Sequence, residues 1–80
     1  MAIRILFLGP LRDLAGCEEM TAAAPLDWAG LLKLVGQDVA EVLAGDRIHL
    51  ACGGRVLANK TELSAQDGDE VALLPPVSGG

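Results

Sequence analysis

The sequence predicts an α+β fold in which a mixed sheet of about five strands carries one main helix on one face. Three observations carry this expectation. Segments near both ends alternate apolar residues with period two, a capped segment with helical spacing lies between them, and a two-glycine turn separates two short extended runs in the second half.

Residues 2–8 (AIRILFL) set Ile3, Ile5 and Phe7 against Arg4, Leu6 and Leu8, a strand pattern that Gly9-Pro10 ends. Leu11 to Ala15 is expected to make a helical turn closed by Gly16. Residues 18–24 extend as a second strand, weakened by its alanines and stopped by Pro25; it forms a hairpin with the first across a long connection. Asp27 suits the N-cap of a helix from Trp28 to Val35, in which Trp28, Leu31, Leu32 and Val35 share a face, and Gly36 suits its C-cap. Asp38 opens a second helical stretch with Val39, Val42 and Leu43 apolar, ending at Gly45. Two short helices and one broken helix fit this pattern equally.

Residues 47–52 (RIHLAC) alternate again, with Ile48, Leu50 and Cys52 on one side. Gly53-Gly54 signals a hairpin turn, and residues 55–58 (RVLA) pair back. Residues 59–66 read as a polar loop anchored by Leu63, Asp67-Gly68-Asp69 as a turn, and residues 70–74 (EVALL) as the last strand. A hairpin, a crossing helix and further strands fit a β-grasp (ubiquitin-like) topology, with the first and last strands parallel neighbours in mid-sheet. The domain is expected over residues 1–74, followed by an extended tail over residues 75–80.

Eighty residues suit one domain, which buries roughly 60% of its unfolded surface. Phe7 and Trp28 are the two aromatic residues, so the core must be aliphatic. A net charge of −5 repels phosphate backbones and argues against nucleic-acid binding; it favours a protein partner with a basic docking face. The cysteines, Cys17 and Cys52, form no CxxC pair and have no histidine cluster near them, so no metal site is expected. They read as free thiols of a reducing compartment, with Cys52 a small core residue. Arg4 interrupts the apolar start, no signal peptide is recognised, and no apolar run is long enough for a bilayer. The expectation is a cytoplasmic protein with no membrane partner.

The tail carries the chemistry. Pro75 and Pro76 lack backbone donors and fix φ, so the last strand cannot continue as a paired one, and the pair favours an extended stem. Gly79 and Gly80 are the thinnest residues a chain can offer. A slender end on a stiff stem suits insertion of the Gly80 carboxylate into another protein's narrow site. Frayed terminal glycines would explain Gly79 and Gly80 but not the Pro-Pro stem at a strand end.

Residues 67–80 (DGDEVALLPPVSGG) resemble the C-terminal signature of molybdopterin synthase small subunits, the MoaD family, and residues 3–16 (IRILFLGPLRDLAG) are similar to that family's first strand and turn. Members often carry Asn-Gly where this chain has Gly53-Gly54, a difference that keeps the turn chemistry. The resemblance implies that an E1-like adenylyltransferase uses ATP to adenylate Gly80, that sulfur then replaces the adenylate to give a thiocarboxylate, and that the tail, Pro75 to Gly80, enters the synthase large subunit. There Gly80 donates sulfur to a pyranopterin precursor of the molybdenum cofactor. A heterotetramer with the large subunit is implied, with the catalytic side chains on the partner and no cofactor bound by the domain itself. The chain fits this division of labour: it has no Walker-type GxxxxGK[ST], its one histidine, His49, reads as a strand residue, and Ser78 has no base near it in sequence.

Strand alternation also predicts a docking surface. With Ile3, Ile5 and Phe7 turned to the helix, Leu6 and Leu8 point the other way, as Leu74 does in the last strand, making an apolar patch beside the stem. Arg12, whose counterpart in the resembled family contacts a partner, would add a charge at its rim. Three other readings remain: a sulfur carrier for thiamine thiazole synthesis, a ubiquitin-like protein modifier, and an interaction module with an irrelevant tail.

Overall fold

The computed structural model describes residues 2–75. Seven strands and three α-helices follow one another: β1 (Ile3–Phe7), α1 (Pro10–Ala15), β2 (Glu19–Ala22), β3 (Leu26–Asp27), α2 (Trp28–Val35), α3 (Gln37–Leu43), β4 (His49–Cys52), β5 (Arg55–Val56), β6 (Ser64–Ala65) and β7 (Glu70–Leu74), with a 3₁₀ turn at Lys60–Glu62 before β6. The main sheet has the order β2-β1-β7-β4-β5. Its centre is the parallel pair β1 and β7, in which Ile5 lies opposite Val71 and Phe7 opposite Leu73. β2 and β4 flank this pair antiparallel. This is the mixed five-stranded sheet of a β-grasp fold.

Alternation along the strands decides the two faces. Ile3, Ile5, Phe7, Leu50, Val71 and Leu73 are wholly or almost wholly buried and meet Leu31, Val35, Val39 and Leu43 of the helices in one aliphatic core. The aspartate expected to start α2 does so: Asp27 Oδ1 accepts from the Gly30 amide at 2.8 Å, which satisfies one of the helix's orphan donors. The helical region is two helices, with Gly36 at the junction. Val42, grouped by the sequence with the apolar side of the second helix, is exposed.

Two expectations need correction. The run 59–66 is not a plain loop: Asn59 Oδ1 accepts from the Thr61 amide and caps the 3₁₀ turn, and Ser64–Ala65 then pairs antiparallel with Leu26–Asp27 in a second, two-stranded sheet. Ala65 and Leu26 are buried there, so both strands are held by packing, too short to show a period. Cys52 is half-buried at the edge of the core rather than inside it. Several strands are shorter than their sequence patterns. β2 stops at Ala22 because its partner β1 begins at Ile3, the residue opposite. The β4–β5 turn is formed as the glycine pair requires: Gly53 and Gly54 both have positive φ (60° and 83°), the conformation of a two-residue hairpin turn that L side chains adopt poorly.

Candidate functional site

The face of the sheet away from the helices is uncovered by any element of the described chain. Register places Leu6 of β1 opposite Ala72 of β7 and Glu19 of β2, and on the far side of β7 pairs Ala72 with Ala51 and Leu74 with His49. Val56 of β5 lies opposite Ala51. Leu6, Ala51, Ala72 and Leu74 are half-buried, His49 is exposed and Val56 is 59% exposed. Leu8 stands one residue past β1 and is also exposed. Leu6 and Leu74 therefore share one face, as strand alternation predicts, and the apolar surface extends further across the sheet than the three leucines.

That face has two unlike ends. Towards the start of β1, Arg4 Nε and Nη2 donate to the two carboxylate oxygens of Glu19 at 3.0 and 3.2 Å, and Nη1 donates to Glu70 at 3.4 Å. The arginine's hydrogen bonds and charge hold the Glu19 carboxyl below the ordinary carboxylate range. Towards the end of β7 lie Leu74 and His49, and no ion pair among the described residues involves them. The apolar end is the one from which the tail departs.

Parallel pairing makes β1 and β7 leave the sheet side by side. β1 turns off through Gly9 (φ 58°, ψ −136°) into α1, and β7 runs on into Pro75. The half-buried ring of Pro75 lies against Gly9, so close that a Cβ on Gly9 would stand 3.3 Å from Pro75 Cγ. Pro76, Val77, Ser78, Gly79 and Gly80, the rest of the expected insertion segment, lie outside the described residues.

Arg12 sits on α1, where its guanidinium donates to Glu18 at 3.2 Å. Arg12 and Glu18 line an open groove of about 480 Å³ together with Asp13, Gly16 and Cys17. The Cys52 thiol faces the Asp69 carboxylate at 3.8 Å, and burial first, then that negative charge and hydrogen bond, push its pKa up. A thiol so placed is a poor nucleophile. Among the described residues no three His, Cys, Asp or Glu side chains are grouped to hold a metal ion, and no helix is long and apolar enough to cross a membrane.

Alternation in residues 70–74 turns Ala72 outward with Leu74, as the structure has it. The sequence pattern did not place Ala51 and Val56 on this face or single out Gly9; the first two depend on the β4–β7 and β4–β5 registers. Gly9-Pro10 signalled only that a strand ends; its contact with Pro75 is a product of the parallel pairing.

Comparison with known proteins agrees with the fold and with the resemblance read from the sequence. Over the full length of both chains, the protein is 32% identical to a molybdopterin synthase sulfur carrier subunit of Chlamydomonas reinhardtii. Its structure is similar to a chain in the protein–protein complex of subunits 1 and 2 of the molybdopterin-converting factor from Helicobacter pylori (27% identity, all of both chains covered, TM-score 0.68). It is also similar to SAMP1, a small archaeal modifier protein, from Haloferax volcanii (25% identity, all of both chains covered, TM-score 0.71). The profile of the ThiS family matches residues 5–80, and the chain belongs to that family, with molybdopterin synthase sulfur carrier subunits among its relatives.

Proposed function

We propose that this chain is the sulfur carrier subunit of a molybdopterin synthase and that the Gly80 carboxyl group is its reactive end. One observation carries the reading: in a chain similar end to end to a sulfur carrier subunit, the last strand delivers the Pro75 stem from mid-sheet beside an uncovered apolar face. A carboxylate is a weak electrophile and holds no sulfur. Activation must therefore come first: an E1-like adenylyltransferase joins the carboxylate to the α-phosphate of ATP with loss of pyrophosphate, and a sulfur nucleophile displaces AMP to leave a thiocarboxylate. The sheet face, through Leu6, Leu8 and Leu74, docks on the synthase large subunit. Residues Pro75 to Gly80 reach its active site, where the thiocarboxylate sulfur bonds to a carbon of the pyranopterin precursor in place of an oxygen substituent and so forms a thioester to Gly80; water then breaks the acyl C–S bond, leaving the sulfur on the precursor and a carboxylate at Gly80. The large subunit supplies the catalytic side chains in a heterotetramer, and Arg12 adds a charged contact at the rim.

Incubation of the chain with ATP, a sulfur donor and the E1-like enzyme, followed by intact mass and fragment analysis, tests this. The expected result is replacement of one oxygen by sulfur at Gly80; an unchanged mass with active enzyme overturns the reading. The likeness to SAMP1 supports a second reading, a modifier joined through Gly80 to lysines of target proteins. Isopeptide-linked adducts in cells, persisting when the large subunit is absent, would establish it.

A further inference from the structure

We propose that Gly9 is a positioning residue for the tail: its bare backbone is the seat on which the Pro75 ring rests, and this contact sets the direction in which the chain leaves β7. The proposal rests on the sulfur-carrier reading for its purpose, though the seat itself is a property of the free chain.

The parallel register places the two residues together. Phe7 and Leu73 are the last paired positions of β1 and β7, and Gly9 and Pro75 each stand two residues beyond them. At this point the two strands part, β1 turning into α1 and β7 running on into Pro75. Two separate demands converge on Gly9. Its φ of 58° lies where L residues are strained, and a Cβ would meet Pro75 Cγ at 3.3 Å and Pro75 Cβ at 3.9 Å. The first demand is met by many turns. The second is made by the stem alone, because the turn into α1 has no need of a proline ring against it.

Pro75 is the residue at which direction is decided. Its pyrrolidine fixes φ covalently at about −65°. The Gly9 seat holds the ring from the side, and pairing with His49 holds Leu74, the residue before it. A reacting atom carried at the end of a stem magnifies any error at the base, and a misplacement of about 1 Å can cost about 100-fold in rate. Docking through the sheet face does not depend on the seat, whereas delivery of the sulfur does.

Gly16-Cys17 is a ligation junction at which the chain can be assembled from two synthetic pieces, so either hand of alanine can be placed at position 9. L-alanine puts its methyl against Pro75 and is strained at positive φ. D-alanine prefers positive φ and carries its methyl in place of the other hydrogen. Each chain, made as the Gly80 thiocarboxylate, is combined with the large subunit and the pyranopterin precursor, well below its unfolding temperature. Gly9→Ala is expected to leave the dissociation constant for the large subunit within about twofold while lowering the single-turnover rate of sulfur transfer about tenfold or more, and D-alanine is expected to restore that rate to within about twofold. An unchanged rate in Gly9→Ala, or an equal loss with both hands, overturns the proposal. In the free wild-type chain a nuclear Overhauser contact between the Gly9 Hα and Pro75 Hγ protons is expected, and its absence overturns the seat whatever the chemistry at Gly80. If the contact is present but the wild-type thiocarboxylate transfers no sulfur, the carrier reading fails and the seat stands.

Discussion

The two faces of the main sheet are cut from the same strands and have opposite fates. On the inner face Ile3, Ile5, Phe7, Leu50, Val71 and Leu73 vanish beneath the helices. On the outer face the intervening residues Leu6, Ala51, Ala72 and Leu74 are apolar too, yet stay only half-buried. A strand facing plain solvent would carry polar residues at those positions. Uncovered apolar chemistry of this kind is what the proposed docking on a large subunit would use.

The sharpest way to break this comparison is to truncate one face at a time. Phe7→Ala on the inner face should cost about 3–5 kcal/mol in a denaturant melt, a large share of what a domain of this size has to spare. Leu6→Ala and Leu74→Ala should each cost only about 1 kcal/mol in the same melt while weakening calorimetric binding to the large subunit by about 2 kcal/mol. Equal losses of stability from the two faces would mean that the outer one is ordinary core.

A smaller effect tests the edge of the inner face. Cys52, with its thiol pKa raised by burial and by Asp69, should be alkylated more slowly at about pH 8 in the folded chain than in urea, and Asp69→Asn should speed the folded reaction by removing the negative charge. Peptide mapping separates it from Cys17. The smallest effect lies at the charged end of the outer face. Because Arg4 lowers the Glu19 carboxyl, the pair contributes stability that is present above the ordinary carboxylate value of 4.5 and is lost as pH falls below it, through the folded value. Arg4→Gln should flatten that acid limb of the melting curve, and about 1 M salt should flatten it in the wild type.

Much of this was legible in the sequence because it is local. Alternation in residues 2–8 and 70–74 assigned both faces of the central pair, and Asp27 announced its helix. The strands at Leu26–Asp27 and Ser64–Ala65 were not legible, since two residues carry no period and only their pairing makes them strands. That Leu6 and Leu74 share the outer face could be read from parity alone. His49 reads as a strand residue from the sequence, but its place opposite Leu74, and the place of Val56 on the same face, follow from register. Gly9 announced a strand end but not the proline ring resting on it, because that contact joins residues at opposite ends of the chain.

The parallel course of β1 and β7 has a practical corollary. Ile3 begins β1 at the end of the sheet remote from Pro75, a separation of about 20 Å along strands that rise about 3.3 Å per residue. A fluorophore or affinity handle joined ahead of Ile3 would ride at the rear of the molecule, clear of the departing stem. A label can thus sit at one pole while Pro75 lies at the other.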